Sequence, residues 1–178
     1  MLGPVIKLKH ITLRPVKEKD LSSYVKGLEN PNVIRYMTLP KAPTLEEEKE
    51  WFEKNKKSKS EIHWAIDFNG QCIGGISLRQ LNDFLKTAEM GYMIHDENFW
   101  GKGFMTEAAQ AVRDYGFAKL NLETMLISAI NENIGSHKII AKLGFKKIGE
   151  FPHKLFRDNK WHNDTMYVML KNEWENIH

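Results

Sequence analysis

The sequence predicts a mixed α/β domain built on a mixed sheet. Two apolar alternations joined by Asn69-Gly70 read as a central hairpin. A strand, a glycine-bearing turn and a helix follow, and the last third alternates strand and helix before two closing strands. Strands that precede an alternating section make a mixed sheet, not a purely parallel one. No Pro/Gly/Ser linker, repeat or low-complexity block divides the 178 residues, so residues 1–178 read as one domain.

Residues 5–14 read as an opening strand whose apolar phase slips between Leu8 and Ile11, which suggests a bulge near His10. Residues 20–28 are helical, with Leu21, Tyr24, Val25 and Leu28 on one face. The stretch NPNVIRYMTLPKAP is a proline-punctuated connection holding a short turn at best. Thr44 and Glu47 form a capping box ahead of a helix through Trp51 and Phe52. Ile62, Trp64, Ile66 and Phe68 line the buried face of a strand, and residues 71–78 return beside it. A third strand covers 87–94, and FWGKGFMTEA then opens a helix reaching about Phe117. Residues 124–130 form a strand, 136–143 a helix closed by Gly144, and 145–156 and 165–170 the last strands.

Composition excludes several classes. Lys plus Arg number 26 against 23 Asp plus Glu, a balance too mild for a nucleic-acid surface. The basic stretch at 54–60 reads as a solvated helix end. No apolar run reaches the roughly 18 residues of a membrane span, and MLGPVIKLKH lacks a signal-peptide pattern. The single cysteine, Cys72, allows no internal disulfide and fits a reducing, cytoplasmic compartment. Its place in a strand reads as a small buried apolar residue. The seven histidines show no metal-ligand spacing, so no metal is expected. Nor does a G-x-S-x-G elbow mark a serine hydrolase.

The most informative segment is Trp100-Gly101-Lys102-Gly103-Phe104-Met105-Thr106, between a strand and a helix. Its glycines let the backbone turn sharply and approach a ligand closely. The following helix offers unpaired N–H groups and a positive dipole end, the elements of a pyrophosphate site. Lys102 adds charge and Thr106 a hydroxyl. The segment is neither a Walker loop nor G-x-G-x-x-G, and G-K-G alone is equally a plain turn. Its position, after AEMGYMI and before N-x-x-S and K-L-G-F, says more than the glycines do.

AEMGYMI, WGKGFMTEA, FAKLNLETMLISAINENIGSHKIIAKLGF and DNKWHNDTMYVML together resemble the GNAT superfamily of N-acetyltransferases, in its RimJ/RimL-like branch. The resemblance runs from IKLKHITLRPV almost to the end of the chain. It implies a splayed, mostly antiparallel mixed sheet flanked by helices, acetyl-CoA as donor and an amine as acceptor. The family's phosphate signature falls on Trp100, Gly103 and Met105, with its first and last positions substituted. By the same resemblance Tyr92, Met93 and Ile94 pair with the pantetheine arm, and Asn133 and Ser136 line its thiol end. A backbone N–H at Met93 or Ile94 would receive the developing oxyanion. Lys138 and Lys142 are either near the nucleotide or solvated.

Amide formation needs a neutral amine, a donor for the developing oxyanion and a proton for the leaving thiolate. Glu89, alternating away from Ala88 and Met90, is the candidate base, or else a salt-bridged strand carboxylate. Partial burial would raise its pKa if it is a base. Ser136 resembles the thiolate's proton donor in the RimL-like branch, and is otherwise an ordinary helix N-cap. Ile139, Ile140 and Ala141 stand where many relatives place a helix tyrosine, which argues against the spermidine-acetylating ones and leaves Tyr92 and Tyr167 as substitutes. By the same resemblance Arg35, Tyr36, Met37 and residues 156–164 would wall the acceptor, and Trp161 and His162 either touch it or pack in a turn. The acceptor itself stays open: a protein N-terminus, a polyamine, an aminosugar or an aminoglycoside. So does a non-catalytic acyl-CoA-binding role, and a monomer or a homodimer.

Overall fold

A computed structural model describes residues 1–177. Eight strands form one sheet in the order β1-β2-β3-β4-β5-β6-β8-β7. They are β1 Ile6–Lys7, β2 Thr12–Pro15, β3 Ile62–Phe68, β4 Gln71–Asn82, β5 Thr87–Ile94, β6 Thr124–Ile130, β7 Lys146–Arg157 and β8 Lys160–Leu170. Every neighbouring pair is antiparallel except β5–β6. The helices are α1 Leu21–Leu28, α2 Pro31–Ile34, α3 Leu45–Lys57, α4 Phe104–Lys119, α5 Ile134–Leu143 and α6 Lys171–Glu175.

Helices cover both faces. Ala108, Ala109 and Val112 of α4 and Ile140 and Leu143 of α5 bury against Met90, Met125, Ile127 and Met169. On the other side Leu21 and Tyr24 of α1 and Phe52 of α3 pack with Val16, Ala65 and Cys72. The Thr44 capping box forms as expected, with Thr44 N–H on Glu47 Oε2 at 2.6 Å and Glu47 N–H on Thr44 Oγ1 at 3.2 Å.

Several boundaries differ from the sequence reading. The opening segment is a hairpin, not one bulged strand: Ile6 pairs with Leu13, and Leu8 N–H donates to Ile11 O at 2.9 Å. The apolar phase slips because the chain reverses. In the proline-punctuated stretch, Asn30 accepts from Asn32 N–H and Pro31 fills the first position, so a one-turn helix forms. β8 begins at Lys160, five residues earlier than expected, because Asp158 (φ 52°) and Asn159 (φ 57°) make a tight two-residue turn. Asn133, not Ser136, caps α5: its Oδ1 accepts Ser136 N–H at 3.1 Å. Ser136 is thereby freed from the capping role.

Candidate active site

The sheet opens where the parallel β5–β6 pairing ends. β5 and β6 are paired from Thr87–Thr124 only as far as Met90–Ile127. Beyond that point β5 follows β4 to the Gly74–Ile94 pair and β6 follows β8 to Ile130–Asp164. Their ends diverge and leave a gap. His95 N–H donates across to Ile73 O at 3.0 Å, so alternation turns the N–H and C=O groups of Tyr92 and Ile94 away from β4, into the gap. Those of Met93 face β4. Of the two carbonyls in the gap, that of Ile94 accepts Trp100 Nε1–H at 2.9 Å.

That bond ties the glycine turn to the end of β5. Gly101 (φ 72°) and Gly103 (φ 84°) both lie in the left-handed region, and open space surrounds the position a Cβ would take at each. Gly103 is also the N-cap of α4, whose first N–H groups face outward beside it. A surface cavity of about 370 Å³ there is lined by Lys9, Lys102, Gly103, Thr106 and Lys142, among others. Three ammonium groups and a helix N-terminus around open backbone suit an anionic phosphate chain. Lys9 was not singled out in the sequence; it arrives through the β1–β2 turn, which Glu107 holds by accepting His10 N–H at 3.0 Å. Phe104 and Met105 point into the core.

Tyr92 and Ser136 meet at the gap. The Tyr92 hydroxyl is buried and has no hydrogen-bond partner of ordinary geometry. Burial pushes its pKa up to about 12, and the neighbouring Ser136 hydroxyl acts in the opposite direction. Tyr167 is engaged elsewhere, its hydroxyl 2.7 Å from His137 Nδ1, while His137 Nε2 faces Ile130 O at 3.1 Å.

On the opposite sheet face Glu89 accepts from Arg79 Nη2 at 2.7 Å and Gln80 Nε2 at 3.2 Å. The salt-bridged arrangement is therefore present, with the carboxylate only partly exposed. Asp164 shares this face through its pairing with Ile130. Its carboxyl is buried and held above the ordinary range, first by desolvation, with Glu89 adding to the rise and Ser128 opposing it. Cys72 donates to Gly74 O at 3.5 Å, and burial pushes its thiol up to about 11, leaving almost no thiolate for nucleophilic work.

The family model for the acetyltransferase (GNAT) domain matches residues 10–146. The chain belongs to the GNAT acetyltransferases. It is 29% identical to the uncharacterized N-acetyltransferase YnaD of Bacillus subtilis, across 95% of this chain and 98% of that one. It is 30% identical to the spermidine N(1)-acetyltransferase of Escherichia coli, across 92% and 88%. A solved structure of spermidine N-acetyltransferase from Vibrio cholerae, in complex with CoA and spermine, superposes with a TM-score of 0.86 at 23% identity, covering 94% of this chain and 99% of that one.

Family membership gives the two substituted signature positions a physical reading. Trp100 satisfies the Ile94 carbonyl, and Met105 is buried away from the turn, so neither side chain fills the backbone cradle. Of Ile139, Ile140 and Ala141, Ile140 is fully buried in the core. Of Lys138 and Lys142, Lys142 lines the cavity at the turn. Among the described residues no helix is long and apolar enough to cross a membrane, and no three or more His, Cys, Asp or Glu side chains could hold a metal ion.

Proposed function

We propose that this N-acetyltransferase takes acetyl from acetyl-CoA and delivers it directly to a primary amine, a peptide N-terminus or a small linear amine, in the manner of the RimJ/RimL-like branch. The observation that carries the reading is the gap itself. It has a phosphate-accepting turn at one end, inward-facing N–H groups at Tyr92 and Ile94 along its side, and an unpartnered buried hydroxyl inside it. An open backbone cradle and an orphan polar atom are what a long, partly anionic ligand would complete. The names of the spermidine-acetylating relative and of the CoA–spermine complex support an amine acceptor.

Acetyl-CoA supplies the acetyl group as a thioester, activated toward an amine. The Ile94 N–H receives the negative charge that develops on the carbonyl oxygen. Ser136 and Tyr92, whose hydroxyls neighbour each other, supply the departing sulfur with its proton. Glu89, oriented by Arg79, takes the proton that the amine loses, directly or through water. Cys72, buried and held as a thiol, takes no acyl group, so attack is direct.

The test is a panel of N-terminal peptides, polyamines and aminosugars with acetyl-CoA, read by release of free thiol. Turnover of at least one linear amine is expected. Stabilisation by acetyl-CoA with no amine ever acetylated would replace the reading with a non-catalytic binding role.

A further inference from the structure

Strand β4 breaks its alternation beside Glu89. Leu78 and Leu81, three residues apart, both pack into the core under α4, where strict alternation would put them on opposite faces. The β4–β5 register gives the reason. Arg79 pairs with Glu89 and Asn82 with Thr87, so β4 carries one extra residue between them. Gln80 lies in this bulge at φ 52°, in the left-handed region. A side chain with that φ is uncommon, and glutamine lacks the short local hydrogen bond by which asparagine tolerates it. His153 apart, the other side chains with positive φ among the described residues sit in turns or loops.

The bulge turns two consecutive residues onto one carboxylate. Arg79 Nη2 donates to Glu89 Oε1 at 2.7 Å, and Gln80 Nε2 donates to Glu89 Oε2 at 3.2 Å. Strand β5 makes room for the first donor. A Cβ on Gly91 would lie 2.8 Å from Arg79 Nη2 and 2.9 Å from its Cζ, so the guanidinium lies across this glycine. The Arg79 and Glu89 side chains are 44% and 27% exposed, and a pair this open adds little to stability. Packing Leu81 inward requires the extra residue but not a glutamine, since glycine would adopt φ 52° without strain. The strained side chain therefore points to the carboxylate that it holds.

We propose that the bulge at Gln80 is a positioning device for acetyl transfer. Gln80 and Arg79 each take one lone pair of the Glu89 carboxylate, which keeps it ionised and fixes its plane. Its other lone pairs are left for the proton that the amine loses. The proposal rests on the acetyltransfer reading above and deepens it, because Glu89 is held as the base by a residue that itself touches no substrate. Charged groups act on the carboxylate from two elements, Arg79 from β4 and Asp164 from β8, while β6 sets Leu126 opposite it.

The experiment compares the full-length wild type with Gln80→Gly, Glu89→Gln and the double variant, against the same panel of peptides, polyamines and aminosugars. Glycine keeps the bulge and removes only the amide. Gln80→Gly is expected to lower kcat about fivefold and to leave the acetyl-CoA KM within about twofold. In the Glu89→Gln background the same change should lower kcat by less than about twofold, because a positioning residue acts only through the group it positions. Carboxyl-carbon NMR of Glu89 gives a readout independent of turnover. Its titration midpoint should rise by about half a pH unit in Gln80→Gly, since the ionised form loses a donor. An undiminished kcat, a loss that adds in full to that of Glu89→Gln, or an unmoved midpoint overturns the positioning role. A wild type that acetylates no amine overturns the acetyltransfer reading instead, and the midpoint then decides alone whether Gln80 holds the carboxylate.

Discussion

The proposed donor end of the gap and the contacts across its mouth are built in different ways. The donor end is local: seven consecutive residues, two left-handed glycines and one helix N-terminus supply most of it. Beside the lysine ammonium groups, its donors are backbone N–H groups, which most side-chain changes leave in place. The mouth is assembled from a distance. Arg157 reaches carbonyls 118 and 123 residues away, and Glu132, just past β6, meets His162 of β8. A backbone-built site tolerates side-chain replacement, as Trp100 and Met105 illustrate, whereas a side-chain-built site can be respecified one residue at a time. The donor end should therefore be robust in this chain and the mouth adjustable.

The largest expected effect breaks the donor end at its backbone. Gly103→Val forces a β-branched residue into φ 84° at the N-cap of α4, a strain of about 1–3 kcal/mol that only rearrangement of the turn relieves. Acetyl-CoA affinity should fall about a hundredfold by calorimetry, with far-UV circular dichroism retained. Undiminished affinity would mean that the turn is only a turn.

Next in size is the pair of hydroxyls where the two ends meet. Ser136→Ala and Tyr92→Phe should each lower kcat by an order of magnitude or more, within the usual reach of acid catalysis. They should differ in stability. Tyr92→Phe removes a buried hydroxyl with no hydrogen-bond partner, so the variant should gain about 1 kcal/mol, roughly 2–4 °C in Tm. A slower yet more stable Tyr92→Phe enzyme would identify the orphan hydroxyl as one kept for function. A less stable one would mean that the phenol has a structural partner.

The same contrast explains what could be read from the sequence. Alternation, the capping box, Asn69-Gly70 and the glycine turn are local signals, and the structure places those elements where they were expected. The opening hairpin is not legible because a bulge and a reversal produce the same phase slip. The start of β8 is not legible because Asp158-Asn159 lacks the glycine that marks Asn69-Gly70. Ser136 reads as a cap until the structure shows that Asn133, three residues earlier, takes that role. Arg157, Glu132 and Asp164 were invisible as partners, since a charged residue in a strand carries no local sign of what it meets across the fold. Arg79 is the intermediate case: once the hairpin register is known, its pairing with Glu89 follows.

Glu89→Gln tests whether that ion pair does chemistry. Turnover should fall about tenfold while acetyl-CoA affinity is unchanged, because the residue lies on the sheet face away from α4 and the donor turn. A fully active variant would leave Glu89 as a strut for Arg79 and remove it from the mechanism.

The smallest expected effect concerns Asp164, the second carboxyl on the acceptor face. Burial first, and Glu89 next, hold its folded pKa above the unfolded value of about 3.9. The folded protein therefore binds this proton more readily than the unfolded chain does. Stability from this group is fully present below the unfolded pKa and is lost as pH rises through the folded one. Asp164→Asn removes the ionisation while keeping a polar group for Ser128. The variant should therefore melt about 1–2 °C above wild type at pH 7, with the advantage gone near pH 4. An equal gain at both pH values would mean that packing, not the retained charge, separates them, and that the acceptor face carries one functional carboxylate instead of two coupled ones.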